Sequence, residues 1–105
     1  MSIDEDFMRL ALEEAKKAYA IGEVPVGAVL VWNNQVIAKA HNLVETRGDA
    51  SAHAELLCLS AASVALDNWR LLNTTLYCTL EPCSMCAGAM LLSRIETLVW
   101  GGSRY

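Results

Sequence analysis

The stretch Leu80–Met90 reads LEPCSMCAGAM and organises the rest of the chain. Its two cysteines, Cys83 and Cys86, follow a proline, a residue that favours the first position of a helix. Residues three apart lie on one side of a helical turn, so both sulfurs can bind one metal ion. A structural zinc site takes four protein ligands, whereas a catalytic one takes three and keeps a position for water. We expect the third ligand in HAE at residues 53–55, where an imidazole and a carboxylate lie two residues apart.

Two short motifs, H-x-E at residues 53–55 and P-C-x-x-C at residues 82–86, resemble those of the cytidine deaminase superfamily. Longer strings resemble the bacterial tRNA-specific adenosine deaminases within it: VPVGAV at 24–29, AHAE at 52–55 and TLEPCSMCAGA at 79–89. The likeness runs from about Phe7 to Gly101, and guanine deaminases share much of it.

The resemblance implies one zinc ion per chain, held by His53, Cys83 and Cys86. On an ideal helix Glu55 lies about 200° round from His53, so it cannot share that side chain's direction toward the metal. It would instead reach the metal-bound water, take its proton as a general base, and return protons to the ring nitrogen and the departing ammonia. The zinc-bound hydroxide would attack C6 of adenine and give inosine. By itself Glu55 could also be a carboxylate that interacts with the helix dipole, but three zinc ligands beside it favour catalysis.

The resemblance also implies a substrate and a pocket. The substrate would be the wobble adenosine of a tRNA anticodon loop, a single-stranded base that can be splayed out without breaking a duplex. From the residues alone Asn42 is either a turn former or a substrate ligand, and the resemblance favours the ligand. The family habit further predicts a homodimer. The residues implied for substrate binding are Asn42, Ala54 through its backbone N–H, Val26, Gly27 and Leu80.

Composition and charge limit the classes of protein. The 105 residues predict one deaminase-like domain over residues 1–105, and 54% of them are hydrophobic. No apolar run approaches the ~20 residues of a membrane span, and the acidic N-terminus is unlike a signal peptide. We therefore predict a cytoplasmic protein that does not bind membranes. The net charge of −4, with eight scattered basic residues, is unusual for a protein that binds RNA.

Cys58 and Cys78 differ from the pair at 83 and 86. Cys58 falls in an apolar helical segment and Cys78 on the apolar face of a strand, so we predict both as core residues. A disulfide framework needs a secretory context, which is missing from this sequence. A thioredoxin-like redox pair at Cys83 and Cys86 competes with the metal site but does not account for the His–Glu motif.

Periodicity predicts a mixed sheet with helices on both faces, and the resemblance makes this the three-layer α/β/α fold of the cytidine deaminases. A capping box at Ser2 opens the first helix, and Asn33–Asn34 forms an N-terminal hairpin. Trp69 and Leu71 should pack in the core, and the small residues 87–89 should permit close backbone approach. The predicted strands are 26–32, 35–40, 75–80 and 95–100; the predicted later helices are 52–66 and 83–94, with a loop over 43–51.

The chain departs from the tRNA enzymes after its fourth strand. Residues 102–105 read GSRY, with Arg104 about where the family has an RNA-contacting aspartate. The family fold adds a fifth strand and terminal helices, so we expect a truncated, minimal or partial chain whose fourth strand is a sheet edge. Two alternatives stay open. One is deamination of a free base or nucleoside such as guanine or cytosine, and the other is a catalytically idle, zinc-stabilised subunit.

Overall fold

The first helix begins where its sequence predicts. In a computed structural model, which describes residues 2–102, the Ser2 hydroxyl accepts a hydrogen bond from the Glu5 N–H at 3.1 Å and caps α1, Ile3–Ala20. The helix ends just before Gly22, whose φ of +80° is a conformation that glycine adopts without strain. The buried face of α1 is made mostly of alanines, which allow the helix axis to lie close to the sheet.

The next two strands form the predicted hairpin. Asn33 and Asn34 both have positive φ, +52° and +60°, the backbone of a tight two-residue turn whose twist matches that of the strands. Trp32 pairs with Gln35 directly across this turn. After α1, the elements within residues 2–102 are β1 (Gly27–Trp32), β2 (Gln35–His41), α2 (Val44–Arg47), α3 (Ala54–Ala65), β3 (Thr74–Cys78), α4 (Ser84–Leu92) and β4 (Thr97–Trp100).

The sheet is mixed, as predicted. Its strand order is β2-β1-β3-β4, in which β1 is antiparallel to both of its neighbours and β3 is parallel to β4. The fourth strand therefore lies at a sheet edge. Alternate residues of β1 face opposite layers: Val29 packs toward α1, whereas Leu30 packs with the buried residues of α3 and α4. The three-layer α/β/α arrangement of the cytidine deaminases is confirmed.

The main core contains both cysteines predicted to lie there. Cys58 of α3 and Cys78 of β3 are fully buried, together with Leu71 from the loop between these elements. The core prediction for Trp69 is wrong, because 54% of its surface is exposed. The Arg70 guanidinium lies over the indole ring, 4.5 Å from its centroid, an arrangement that keeps the charged group in solvent while it covers the ring.

Two local predictions are wrong. The predicted loop 43–51 contains the short helix α2, which ends at Gly48 with φ +60°. Gly88 is predicted to allow close backbone approach, yet no other element of the described residues comes within 4 Å of where its Cβ would lie. Along residues 2–102, none of the helices is both long and apolar enough to cross a membrane. Arg104, the departure noted above, lies outside the described residues.

Candidate active site

Two helices begin at the same corner of the molecule. His53 is the N-cap of α3 and Cys83 is the N-cap of α4, both with extended backbone. The predicted helices start at residues 52 and 83, whereas α3 and α4 begin at Ala54 and Ser84. His53 and Cys83 therefore lie just outside their helices, and Cys86 lies within the first turn of α4. Helix amino ends carry partial positive charge, which favours thiolates at this corner.

The predicted metal ligands converge. The His53 Nδ1 atom lies 3.5 Å from the Cys86 Sγ and 3.7 Å from the Cys83 Sγ, and the two sulfurs are 3.6 Å apart. With Zn–S near 2.3 Å and Zn–N near 2.0–2.1 Å, a tetrahedral zinc ion separates its ligand atoms by about 3.5–3.8 Å. The donor set therefore fits zinc in both chemistry and spacing.

The two thiols have opposite tendencies to ionise. Burial raises the pKa of Cys83, but hydrogen bonds from the Cys86 N–H, the Cys86 thiol and the Met85 N–H more than offset burial and leave the pKa below its ordinary value. The pKa of Cys86 is raised, first by burial and then by the nearby Glu55 carboxylate. A dication at this point would favour both thiolates, because coordination requires the deprotonated sulfur.

Glu55 is a buried carboxylate that makes no hydrogen bond within residues 2–102. Only 1% of its surface is exposed, and neither carboxylate oxygen makes a hydrogen bond to the described residues. An unpaired buried carboxylate is costly, so a protein keeps one where a ligand, water or metal completes its contacts. Its place in the first turn of α3, directly after the His53 cap, puts it beside the donor set.

A cavity of about 220 Å³ opens beside Glu55. Pockets for drug-sized ligands occupy roughly 300–1,000 Å³, so this one suits a small group such as a single base. Its polar lining is mainly acidic. The lining residues are Glu23, Val24, Val26, Asn42, Val44, Glu45, His53 and Glu55.

The predicted substrate residues fall into two groups. Asn42 and Val26 line the cavity, and the Asn42 Oδ1 accepts a hydrogen bond from the Ala54 N–H at 3.0 Å. That N–H therefore fixes Asn42 in this structure. Gly27 lies under α1, with its missing Cβ directed at the Ala11 carbonyl, and Leu80 packs against the main core. Their roles at the substrate stay predictions.

Sequence reasoning missed part of the cavity wall, namely Glu23, Val24, Val44 and Glu45. Glu23 is 5% exposed, but a glutamate between a glycine and a proline reads as a solvated loop residue. The available signal was the extended Val24-Pro25 segment, which leads directly into β1 and brings its neighbours to the cavity.

Family membership follows from the sequence of the whole domain as well as from this site. Residues 1–102 match the family described as the cytidine and deoxycytidylate deaminase zinc-binding region. The chain belongs to this deaminase family. The tRNA-specific adenosine deaminase of Bacillus subtilis is 57% identical over 101 residues, which cover 96% of this chain and 63% of that protein.

Solved structures of deaminases share the fold. One, from a study of A-to-I editing by tRNA:A34 deaminases at the wobble position of transfer RNA, has a TM-score of 0.92 and 45% identity, covering 94% of this chain and 76% of that chain. The guanine deaminase of Bacillus subtilis has a TM-score of 0.91 and 33% identity, covering 94% of this chain and 64% of that chain. The fold alone therefore does not distinguish these two substrates.

This chain matches only part of the length of its relatives. The chain spans 60% to 66% of the length of the bacterial tRNA-specific adenosine deaminases that it matches. The matched part contains His53, Cys83 and Cys86, because the family match covers residues 1–102.

Proposed function

We propose that this chain is a zinc-dependent tRNA adenosine deaminase that converts the wobble adenosine of an anticodon loop to inosine and ammonia. One observation carries the proposal: a His/Cys/Cys donor set with the spacing of zinc ligands lies beside a small cavity that His53 and the buried carboxylate of Glu55 line. The choice of tRNA rests on the 57% identity to a protein named tRNA-specific adenosine deaminase.

Glu55 would move the protons of the reaction. His53, Cys83 and Cys86 would hold one zinc ion per chain, which when bound lowers the pKa of a water molecule and so supplies the nucleophile. Glu55 would accept the two protons of that water in turn, and would deliver one to adenine N1 and the other to the leaving amino group. One water is consumed and one ammonia released for each adenosine, so no other reactant is needed.

Asn42 would hold the base in place. Its Oδ1 already accepts the Ala54 N–H, which leaves the Nδ2 amide to donate to an acceptor on the purine. Val26, 4% exposed and on the cavity wall, would contact the ring from the side of β1. Ala54 through its backbone N–H, Gly27 and Leu80 complete the proposed set of substrate residues.

A free purine such as guanine is the second candidate substrate. It is favoured by the net charge of −4 and by the three carboxylates, Glu23, Glu45 and Glu55, on the cavity wall. Negative charge repels the phosphates that normally supply much of the affinity for RNA. An idle zinc-stabilised subunit is not favoured, because a purely structural site has no use for the buried Glu55.

Self-association is part of the proposal. Leu91 and Leu92 at the end of α4 are 77% and 70% exposed, beside an apolar groove lined by Met90, Ile95 and Leu98. Exposed apolar surface of this kind is typical of a protein interface. We propose a homodimer; a cytoplasmic location also stays a prediction.

Turnover of matched substrates tests the function. The zinc-loaded protein is incubated with an anticodon stem-loop carrying a wobble adenosine, and with free adenosine, guanine and cytidine, and products are measured by mass spectrometry. We expect kcat/KM for the stem-loop to exceed that for free adenosine by at least about a thousandfold, because the flanking nucleotides add binding energy. The same stem-loop with wobble guanosine is the control. Faster turnover of guanine would select the second candidate, and no turnover of any substrate by zinc-loaded protein would support the idle subunit.

A further inference from the structure

Glu23 is a buried acid that reaches a distant part of the chain. It follows α1 directly, and its own N–H donates to the Ala18 carbonyl at 3.0 Å, which fixes its backbone at the end of that helix. Its side chain is directed to α2, 22 and 23 residues further along the chain. None of the zinc-site residues contacts it through a hydrogen bond that the structure describes.

The carboxylate of Glu23 caps α2. Its Oε1 accepts the Glu45 N–H at 3.1 Å, and its Oε2 accepts both the N–H and the hydroxyl of Thr46 at 2.6 Å each. Leu43, which precedes the helix, makes no side-chain cap. The first N–H groups of a helix have no partner within it, so Glu23 satisfies donors that would otherwise be left unpaired. The hydroxyl of Thr46 also holds the pKa of Glu23 below its ordinary value, so the acid is ionised at neutral pH.

The capped helix forms one wall of the active-site cavity. Val44 and Glu45 line it, and Asn42, which would bind the base, lies just before α2. A helix of four residues has almost no internal hydrogen bonding, so its position depends on contacts from elsewhere. Three of those contacts come from Glu23.

We propose that Glu23 is a positioning residue, whose carboxylate holds the turn Val44–Arg47 against the cavity and thereby sets the binding of the substrate base. The effect on substrate binding rests on the proposed deaminase function, whereas the positioning of α2 by Glu23 does not. The described hydrogen bonds of the Glu23 carboxylate go to α2 and none joins it to a metal ligand, so Glu23 should act on binding more than on chemistry.

The substitution Glu23→Gln tests the inference. A glutamine has the same shape but offers one acceptor oxygen, and its NH₂ group would face an N–H donor. We expect KM for the anticodon stem-loop to rise about tenfold while kcat changes by less than about threefold, the pattern of lost ground-state binding. Zinc content should stay at the wild-type value. Hydrogen–deuterium exchange at the Glu45 and Thr46 amides should become faster.

A matched control and a second variant complete the test. Glu13→Gln removes the same charge from an exposed position of α1 and should leave KM and exchange unchanged. Thr46→Val removes only one donor and should raise KM less than Glu23→Gln, and the two effects should not add. Equal KM values for Glu23→Gln and wild type would overturn the inference. If wild type deaminates no RNA, the proposed function fails, but unchanged amide exchange in Glu23→Gln would still overturn the positioning role and faster exchange would support it.

Discussion

The four cysteines of this chain form two pairs in contrasting surroundings. Cys58 and Cys78 are fully buried in the main core, in the middle of α3 and at the end of β3. Cys83 and Cys86 lie at the amino end of α4, each within 3.7 Å of the same imidazole nitrogen. Burial raises the pKa of Cys58 to about 12, whereas backbone N–H groups bring that of Cys83 below its ordinary value.

The contrast shows that position, and not residue type or burial alone, decides what a cysteine can do. Cys86 is as completely buried as Cys58, at 0% exposure, yet it faces a histidine and a second thiol. A buried thiol among apolar atoms is a small hydrophobe. A buried thiol beside an imidazole at a helix start is placed to bind a metal ion.

The largest effect should come from removing a ligand. Cys83→Ala deletes one of three donors, so we expect zinc content to fall from about one ion per chain to less than about a tenth, and deamination to fall at least about a thousandfold. Metal analysis of the purified variant measures the first and inosine formation the second.

Cys78→Ala is the matched control for this variant. It makes the same chemical change in the other pair and should retain zinc, because Cys78 packs only in the core. Loss of zinc in both variants, or in neither, would remove the distinction between the pairs.

The next effect separates zinc binding from chemistry. Glu55→Gln keeps the size of the side chain but cannot accept a proton, so we expect zinc content to be unchanged and kcat to fall by about 10²–10⁴. Without metal, the free energy of unfolding of this variant should exceed that of metal-free wild type by at least about 1 kcal/mol, because a neutral amide costs less to bury unpaired than a carboxylate. Chemical denaturation and single-turnover assays measure the two quantities. Full activity in this variant would refute the proton transfer assigned to Glu55.

The smallest effect concerns the core pair and pH. Cys58→Ala should retain zinc and lose about 1–2 kcal/mol of unfolding free energy, because it leaves a small cavity. The raised pKa of Cys58, from 9.0 to about 12, means that the unfolded thiol ionises first as pH rises. The contribution of the neutral Cys58 thiol to the free energy of unfolding is therefore fully present below about pH 9 and is lost as the pH rises through about 12.

Denaturation at several pH values checks the sign. Between about pH 8 and about pH 9.5, wild type should lose up to about 1 kcal/mol more stability than Cys58→Ala. Cys58→Ser, which keeps a donor for the Ala38 carbonyl but does not titrate in this range, is the control and should follow the alanine variant. If the free energy of unfolding of wild type falls with pH no more steeply than that of either variant, the raised pKa of Cys58 is contradicted.

Much of the site was predictable because its signals are local. The spacing of Cys83 and Cys86 and the pair His53 and Glu55 are each contained within a few residues, and each sits at a helix start that the sequence marks. The hairpin at Asn33–Asn34 was predictable for the same reason, since two residues that tolerate positive φ determine the turn.

The parts that could not be predicted depend on distant contacts. Leu43 offers no cap, so α2 reads as a loop until Glu23 is brought to it by the fold. Trp69 looks like a core residue from its size, and only the structure shows Arg70 over its ring at the surface. The hydrogen bond that Asn42 accepts could likewise not be predicted from neighbouring residues, because its donor, the Ala54 N–H, lies 12 residues away.

Gly27 has a consequence for anyone who would re-engineer this chain. A Cβ at this position would lie 2.1 Å from the Ala11 carbonyl oxygen and 2.5 Å from the Ala15 nitrogen, so even alanine would push the first helix off the sheet. Its neighbour Val26, only 4% exposed, lines the cavity and packs with the main core rather than against that helix. Directed evolution of new substrate preferences would therefore change the cavity through residue 26, just before β1, and would meet a steric barrier at residue 27.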